Sequence, residues 1–478
     1  MRLLSGTIIA FFSVLTLTQG QEVTTIYGDP GNSGVTDNAT PASEASFNYP
    51  YAAIYNADGD IIISDQENHN LSLVRADDDS IFVFGGLEQN FGYNEGPTSE
   101  TTATLNMPAG VVAHPDENTY YFADRDNYVI RKAEYQAYDE PNAMEVHDFS
   151  LVAGSPQNSG FEDGTGEDAM FGQPQSIVMD NDGYLYVSDQ TNHSIRKVDT
   201  ETGEVTTIAG NGQSGDEVGS GNDAQFDSPQ GIAVGNDGYL YVSDYGNNKI
   251  KRINLDTEEV EHFAGGDNVI DAEDSQDGPI DGDEEDIATF YGPSGIAIDD
   301  EDIIYVITNA GTVRAIYHDS VHTFVGQNGQ YGNEDGTGEN ASIGSDDPFD
   351  SAEGQISLSH DHEYLLFADY RSHTIRTISI EGPRNAVSDD DPDPNSIAGS
   401  IEQNDLNIYP NPAENVLNIE GSNLTSDSEV RVLTLHGQEA ATGSFNNNQI
   451  DVSGLNNGMY IVEVKTPHHT YHEKFEVK

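Results

Sequence analysis

Three histidines occupy the same position of a recurring phrase, and their imidazoles are the side chains with the clearest chemical potential. His69, His193 and His373 each follow, by four residues, an Asp that recurs along the chain. Neutral imidazoles bind zinc and act as general bases, so three of them meeting at one point would form a catalytic centre. Equivalent positions of a repeat lie at equal radius and do not have to converge. Structural histidines are therefore the favoured interpretation.

Carboxylates in the long loops are the second set of candidates. Asp163-Gly-Thr-Gly-Glu167 resembles Asp335-Gly-Thr-Gly-Glu339, and the Ala and Phe that follow the first copy, Ala169 and Phe171, are expected to pack the loop back onto the blade. Clustered oxygen ligands such as these carboxylates are what Ca²⁺ prefers. Asp163 and Asp335 are therefore calcium candidates, although no stretch has EF-hand spacing and a structural loop is the favoured interpretation. The acidic run from Asp267 to Asp286 contains no Lys or Arg and predicts a solvated loop first and a cation or basic-partner site second. The predicted binding residues are Asp163, Glu167, Asp216, Glu217, Asp277, Asp281, Asp283, Asp335 and Glu339.

These residues lie on or between copies of one repeated unit. The phrase Tyr184-Leu-Tyr-Val-Ser-Asp189 has counterparts that end at Asp65, Asp124, Asp244, Thr308 and Asp369. A Pro-x-Gly-Ile segment precedes most copies and a Val-Thr-Thr-Ile-Ala-Gly segment follows them, so each unit contains four short strands separated by turns. An Asp found in nearly every copy is expected to build a turn. The Arg or Lys seven residues after it is expected to pair with neighbouring acids.

Four-stranded units of this kind bury both faces by packing radially, as in a β-propeller. The sixth unit stops at Ile380 without a fourth strand, while Gln21–Gly28 matches the fourth-strand sequence Glu204–Gly210. We therefore predict an all-β fold: a six-bladed propeller over residues 21–380, whose last blade is completed by the N-terminal strand. A closed ring also removes open sheet edges.

The repeat resembles a known family. Asn192-His193-Ser-Ile195, together with the Asn68-His69 pair, is similar to the NHL repeat. The resemblance implies a propeller that serves as a binding module or, in some family members, as a lyase that uses His and metal around the central channel. It is informative for the fold and much less so for activity.

The two ends of the chain predict its destination. Arg2 followed by an apolar run up to Leu17 is typical of a secretory signal peptide, which we assign to residues 1–20. No other segment approaches membrane-spanning length. Residues 381–404 are rich in Asp, Pro and Ser and predict a disordered acidic linker. Residues 405–478 alternate apolar and polar positions between Gly and Asn turns, which predicts a small Ig-like β-sandwich.

This C-terminal segment resembles the type A sorting domain of the type IX (Por) secretion system of Bacteroidota. The resemblance implies export through the periplasm to the cell surface or the medium, with the secretion machinery as a partner. The residues that carry it are Tyr409, Pro410, Asn411, Pro412, Gly437, Gly458, Tyr460 and Lys474.

Composition agrees with an extracellular location. The chain has 18 Lys plus Arg against 84 Asp plus Glu, a formal charge of −66, which repels nucleic-acid phosphates. Cysteine is absent from the sequence, so repetition has to supply the stability that disulfides give to other secreted proteins.

The predicted function is a secreted or surface-displayed module that binds a protein, peptide or glycan. Functional residues of repeat scaffolds concentrate on long loops, so the ligand is expected on the long-loop face and at the mouth of the channel. The alternative is a metal-dependent lyase or hydrolase that acts in the channel, with His69, His193 and His373 as its candidates. Calcium is the one cofactor that the loops suggest.

Overall fold

The computed structural model describes most of the propeller and the strands of the C-terminal segment. The described residues are 21–34, 42–86, 91–95, 103–115, 119–137, 144–266, 282–283, 288–317, 320–344, 354–359, 361–380, 407–409, 416–420, 429–434, 439–444, 449–452, 455, 458–465 and 470–477. The predicted signal peptide and the predicted linker lie outside them.

Six antiparallel sheets follow one another along the described part of residues 21–380, one for each predicted unit. The N-terminal strand is β1 (Glu22–Tyr27). The four strands of the first two blades are β2 (Pro50–Tyr55), β3 (Ile61–Asp65), β4 (Asn70–Val74), β5 (Ile81–Gly86), then β6 (Pro108–Ala113), β7 (Thr119–Asp124), β8 (Val129–Ala137) and β9 (Met144–Ala153).

The next four blades each gain a two-residue strand on the outer edge. Blade 3 comprises β10 (Gly164–Thr165), β11 (Pro174–Met179), β12 (Tyr184–Asp189), β13 (Ser194–Asp199) and β14 (Glu204–Ala209). Blade 4 comprises β15 (Gly219–Ser220), β16 (Pro229–Val234), β17 (Tyr239–Asp244), β18 (Lys249–Asn254) and β19 (Glu259–Ala264). Blades 5 and 6 comprise β20 (Gly282–Asp283), β21 (Pro293–Ile298), β22 (Ile304–Thr308), β23 (Thr312–Tyr317), β24 (Ser320–Gly326), then β25 (Gly336–Thr337), β26 (Ile356–Leu358), β27 (Tyr364–Asp369) and β28 (Thr374–Ser379).

Helical structure in the described residues is limited to single 3₁₀ turns, and no described helix is long and apolar enough to cross a membrane. The turns are Ala42–Glu44, Arg125–Asn127, Gly166–Asp168, Gln190–Asn192, Gly221–Asp223, Tyr245–Asn247 and Gly338–Asn340.

The ring closes as predicted, by strand β1. It pairs antiparallel with β28, with Val23 opposite Ile378 and Thr24 opposite Thr377. The sixth blade therefore has strands from both ends of the propeller sequence. Val23 is fully buried there, in a cluster with Ile378 and other residues of blades 5 and 6, and this burial stabilises the closure.

Long loops fill the space between blades, which diverge toward the rim. After β10 the chain returns to the hub, and on the way it buries Ala169 and Phe171 between blades 2 and 3. Ala224 and Phe226 repeat this arrangement between blades 3 and 4. The expectation that the Ala and Phe of the loop pattern pack back onto the blades is confirmed.

At the hub, small residues allow the inner strands to approach one another. A Cβ on Gly110 would lie 2.8 Å from the Gln175 carbonyl oxygen and 2.9 Å from the Ile177 amide nitrogen of the next blade. Gly231 and Gly295 face the next inner strand in the same way. The Gly of the Pro-x-Gly-Ile segment therefore reflects close backbone approach.

The C-terminal segment forms two antiparallel sheets of its own. One contains β29 (Asn407–Tyr409), β30 (Val416–Glu420) and β33 (Gln449–Asp451), and the other contains β31 (Glu429–Thr434), β32 (Glu439–Ser444), β34 (Gly458–Lys465) and β35 (Thr470–Val477). Leu417, Val430, Val432 and Val452 are buried. That the two sheets pack as an Ig-like sandwich stays a prediction.

Candidate functional site

The central channel contains a concave site. It is a cavity of about 440 Å³ lined by the inner strands of all six blades, β2, β6, β11, β16, β21 and β26. Met179, Val234 and Ile298 show the character of its wall, since they are partly exposed, equivalent residues five positions after the Pro that starts each strand. A cavity of this size and apolar lining is typical of small-ligand sites.

The cavity opens toward the tight hairpins that join the first and second strands. Ala57, His114 and Pro115, which line it, all belong to such hairpins. This is the face opposite the long loops. A ligand on the long-loop face and at the mouth of the channel stays a prediction. In the sequence, the cavity corresponds to the apolar residues that end each inner strand. The same residue types are also typical of a hydrophobic core, so they do not distinguish the two.

Polar side chains close the cavity toward the long-loop face. Gln355 lines it and crosses to blade 2, where its amide nitrogen donates to the Val111 carbonyl at 3.2 Å and its amide oxygen accepts from the Val111 N–H at 3.2 Å. Gln175 and Gln230 occupy the positions after the Pro in blades 3 and 4, and both are at least 97% buried with amide oxygens that have no hydrogen-bond partner.

The recurring Asp residues build turns, and the cation seven residues later completes each turn. Asp189 is fully buried and accepts hydrogen bonds from the Gly172 and Gln173 amides, from Asn192 and from Arg196, whose Nη1 lies 3.0 Å away. The same buried pair occurs as Asp124–Arg131, Asp244–Lys251 and Asp369–Arg376. These Asp residues therefore have a structural role: each holds its turn through a buried ion pair.

Blades 1 and 5 each lack one half of this pair. Asp65 has Ser72 where the other blades have Arg or Lys, and burial raises the pKa of Asp65 to about 8 although it accepts hydrogen bonds from Asn48 and Asn68. In blade 5 the cation is present as Arg314, which donates to the Thr289 carbonyl, but Thr308 replaces the Asp.

The three histidines link neighbouring blades. The Nδ1 atoms of His69, His193 and His373 accept hydrogen bonds from the backbone N–H groups of Met107, Ser228 and Tyr49 at 3.0 to 3.1 Å. Each histidine has a left-handed backbone, with φ between 48° and 60°. Partial burial lowers the pKa of His69 and His373, which favours the neutral acceptor form.

Asn248 forms the same link without an imidazole. Its Oδ1 accepts from the Gly292 N–H at 2.7 Å, at the position equivalent to the histidines. The three imidazoles sit at separate blade boundaries, between blades 1 and 2, 3 and 4, and 6 and 1. The structure thus distributes them around the ring and gives each a backbone partner.

The predicted loop carboxylates fall into two groups. Asp163 bonds Arg196 and Thr207, and these hydrogen bonds hold its pKa below the usual range despite partial burial. Asp335 bonds Arg376 and Thr25 in the same way, and Asp216 pairs with Lys249 and Lys251. Glu167, Glu217 and Glu339 are exposed, Asp283 lies on β20, and Asp277 and Asp281 lie outside the described residues.

No group of three His, Cys, Asp or Glu side chains with the arrangement of a metal site occurs among the described residues. Calcium at Asp163 or Asp335 stays a prediction, which a melting curve with and without chelator tests.

The predicted sorting residues lie partly in the described strands. Tyr409 ends β29, Gly458 and Tyr460 lie on β34, and Lys474 lies on β35. Pro410, Asn411, Pro412 and Gly437 are outside the described residues.

Comparison with known families defines the class of the protein. Residues 226–253 match the NHL repeat, and residues 407–478 match the secretion system C-terminal sorting domain. The propeller of this chain thus contains a matched NHL repeat, and its C-terminal segment matches a secretion-system sorting domain. This domain directs it to the cell surface or the extracellular space.

Its relatives share short portions of sequence. It is 32% identical over 181 residues to the Protein SUPPRESSOR OF QUENCHING 1, chloroplastic of Arabidopsis thaliana, covering 37% of this chain and 16% of that protein. It is 38% identical over 104 residues to NHL repeat-containing protein 2 of Bos taurus, covering 21% and 14%. The chain thus spans less than a fifth of the length of these curated relatives.

Among solved structures, a protein of unknown function from Bacteroides thetaiotaomicron aligns with a TM-score of 0.54 at 19% identity, over 75% of this chain and 76% of that one. This similarity supports the six-bladed fold.

Proposed function

We propose that the propeller is an extracellular module that holds a ligand at its central channel without chemically converting it. The observation that carries this proposal is the 440 Å³ apolar cavity to which every blade contributes. Export by the sorting domain places the cavity where ligands from the surroundings reach it.

We propose that the ligand is not chemically converted because the reactive side chains already have structural roles. The imidazoles of His69, His193 and His373 use Nδ1 to hold neighbouring blades together. Each buried Asp of the repeat is bonded to backbone amides or to Asn and Arg side chains. The lyase or hydrolase alternative requires those imidazoles to meet, and their separate boundaries count against it.

The long-loop face is proposed as a second contact surface, for a protein, peptide or glycan. Phe91 supports this, since its ring is 64% exposed on a long loop and lies 5.3 Å from the His69 ring. The exposed Glu167, Glu217 and Glu339 would give this surface a preference for basic partners.

The test uses the full-length protein as it is secreted. It is incubated with peptide and glycan libraries, bound molecules are eluted, and their masses are compared with the input. We expect recovery of unchanged ligand, and equal recovery by the triple variant His69→Asn, His193→Asn, His373→Asn, because Asn248 already shows that Asn makes the blade link. Accumulation of a product that the triple variant fails to form would instead establish the lyase or hydrolase.

A further inference from the structure

We infer that the hairpin-face cavity binds an apolar alkyl or aromatic group borne by a cation, with the apolar group inside and the positive charge at the mouth. This inference rests on the proposed function and names the ligand chemistry of that site. Hairpin-face cavity here means the cavity lined by the C-terminal halves of the six inner strands and opening beside Ala57, His114 and Pro115.

The wall of the cavity selects an apolar group. Its lining consists mostly of Ile, Val, Leu, Ala and Met residues of the six inner strands, and Tyr55, His114, Gln355 and Ser357 are the polar members. Removing an alkyl chain from water against such a wall is favourable in proportion to the area buried. A charged head group at this depth would lose its hydration without gaining a counter-charge.

The roof of the cavity gives the ligand a direction. Both polar atoms of the Gln355 amide are already bonded to the Val111 main chain. The buried amide oxygens of Gln175 and Gln230, at the same end of the inner strands, have no hydrogen-bond partner but are neutral. The roof therefore carries no formal negative charge with which to receive a cation. The apolar end enters first, and any charged end remains at the mouth.

The mouth carries negative charge. The described hairpins between first and second strands carry exposed carboxylates and contain no Lys or Arg. The titratable bases among their described residues are His114 and His362. His362 Nδ1 lies 3.2 Å from Asp300 Oδ1. The exposed carboxylates are Asp58, Asp182, Asp237, Asp300, Glu301, Asp302, Asp361 and Glu363.

Hydrogen bonds hold this acidic rim in place. The Tyr241 hydroxyl donates to Asp237 at 2.8 Å, and the Ser359 hydroxyl donates to Asp361 at 2.6 Å. A rim that is ordered before binding has less entropy to lose when a ligand arrives. Acidic residues alone would attract any cation, and it is the apolar cavity beside them that selects a cation with an apolar group.

The test compares three probes with the same tail and different heads: octyltrimethylammonium, octyl sulfate and octyl glucoside, each below its micelle concentration. The wild-type sequence has no Trp, so full-length Ala57→Trp carries a single fluorescent reporter at the mouth. We expect the ammonium to bind at least about tenfold more tightly than the sulfate, with the glucoside between them, and to weaken with added salt. A blue shift of the Trp emission locates the tail.

Two sets of variants locate the site. Ala113→Trp fills the cavity and is expected to abolish octyltrimethylammonium binding at an unchanged melting temperature. Asp58→Asn with Asp182→Asn should weaken ammonium binding by about two- to fivefold per carboxylate. Glu167→Gln with Glu217→Gln makes the same change of net charge in the loops at the outer edges of blades 3 and 4 and should leave affinity unchanged. If Ala113→Trp unfolds the protein, the Ala57→Trp reporter still reads occupancy.

Failure of this inference is distinct from failure of the proposed function. Equal affinity for the three heads, or equal loss in both charge-neutralising pairs, overturns the cationic preference while leaving a channel ligand in place. Binding of none of the probes, together with unchanged library binding by Ala113→Trp, removes the cavity as the ligand site. Absence of any ligand from both experiments contradicts the proposed function as well.

Discussion

At the scale of single residues, the histidines show how a chemically versatile side chain serves as a fixed acceptor. His69, His193 and His373 occupy left-handed backbone positions, where Asn is also tolerated. Asn248 stands at the fourth equivalent position and makes the same bond. All four side chains accept a hydrogen bond from a backbone N–H of the next blade. This role does not involve proton transfer.

This role predicts a pH dependence of stability. The pKa values of His69 and His373 are lowered in the folded state, so the unfolded chain binds more protons once the pH falls below the ordinary histidine value of about 6.5. Stability is therefore full above that value and decreases below it. We expect the melting temperature of His69→Asn, His373→Asn to fall less between pH 7.5 and pH 5.5 than that of the wild type.

The opposite substitution is the control. Asn248→His adds a titratable acceptor at the fourth link and should steepen the decrease. Parallel melting curves for all three proteins would contradict the acceptor role.

A second residue-scale prediction concerns the buried ion pairs. Arg196→Met leaves Asp189 fully buried without its cation, and breaking a buried pair in this way costs about 3–5 kcal/mol. Denaturant unfolding of the propeller measures the loss. Adding Asp189→Asn should recover part of it, because a neutral amide costs less to bury. A double variant less stable than Arg196→Met would refute this.

The roles of these residues were only partly readable from sequence. Recurrence identified Asp189 as a turn builder and Arg196 as its partner, because a structural residue is needed in every copy. The exceptions are visible in the alignment of copies, where Ser72 stands at the cation position of blade 1 and Thr308 at the Asp position of blade 5. The burial of Asp65 and Arg314 is not visible there. The target of His193, the Ser228 amide, depends on how blades dock, which no single repeat encodes.

At the scale of elements, the inner strands determine the width of the channel. Gly110 packs against the Gln175 carbonyl, so Gly110→Ala forces two backbones apart and should cost about 1–3 kcal/mol. We expect a loss of stability near the upper end of this range, because the atoms that the new Cβ would meet belong to the backbone and cannot rotate away as a side chain would.

Gly238→Ala is the matched control for this prediction. Gly238 has a φ of +85° but open space around its missing Cβ, so only backbone strain of about 1–2 kcal/mol is expected. Urea unfolding of both variants checks the difference. Equal losses would show that close approach at the hub is unimportant.

The strands were predictable because their period of two and their turn residues recur. The two-residue strands β10, β15, β20 and β25 were not, since so short a pairing has no period. The long-loop pattern did predict the burial of Ala169 and Phe171. The cavity at the apolar ends of the inner strands is not predictable from sequence, because lining a cavity and packing a core require the same residue types.

At the scale of the whole molecule, the sorting domain makes export separable from folding of the ring. Deleting residues 407–478 should leave the propeller folded but retained in the cell, since the signal for type IX secretion is lost. Fractionation of cells and medium, with melting of the retained protein, measures both. Release of the truncated chain at the wild-type level would show that another segment directs export.

The pairing of β1 with β28 has a consequence for how the protein folds. The Glu22 amide donates a hydrogen bond to the Ser379 hydroxyl across 357 positions of sequence. The last blade therefore depends on contacts between residues far apart in sequence, whereas each of the other five blades forms from one continuous segment. Topology of this kind slows folding, and the final step has to wait until Ser379 has been synthesised. Until then β1 has no β28 with which to pair, and the unfinished ring is most exposed to aggregation at the unpaired edge of β1.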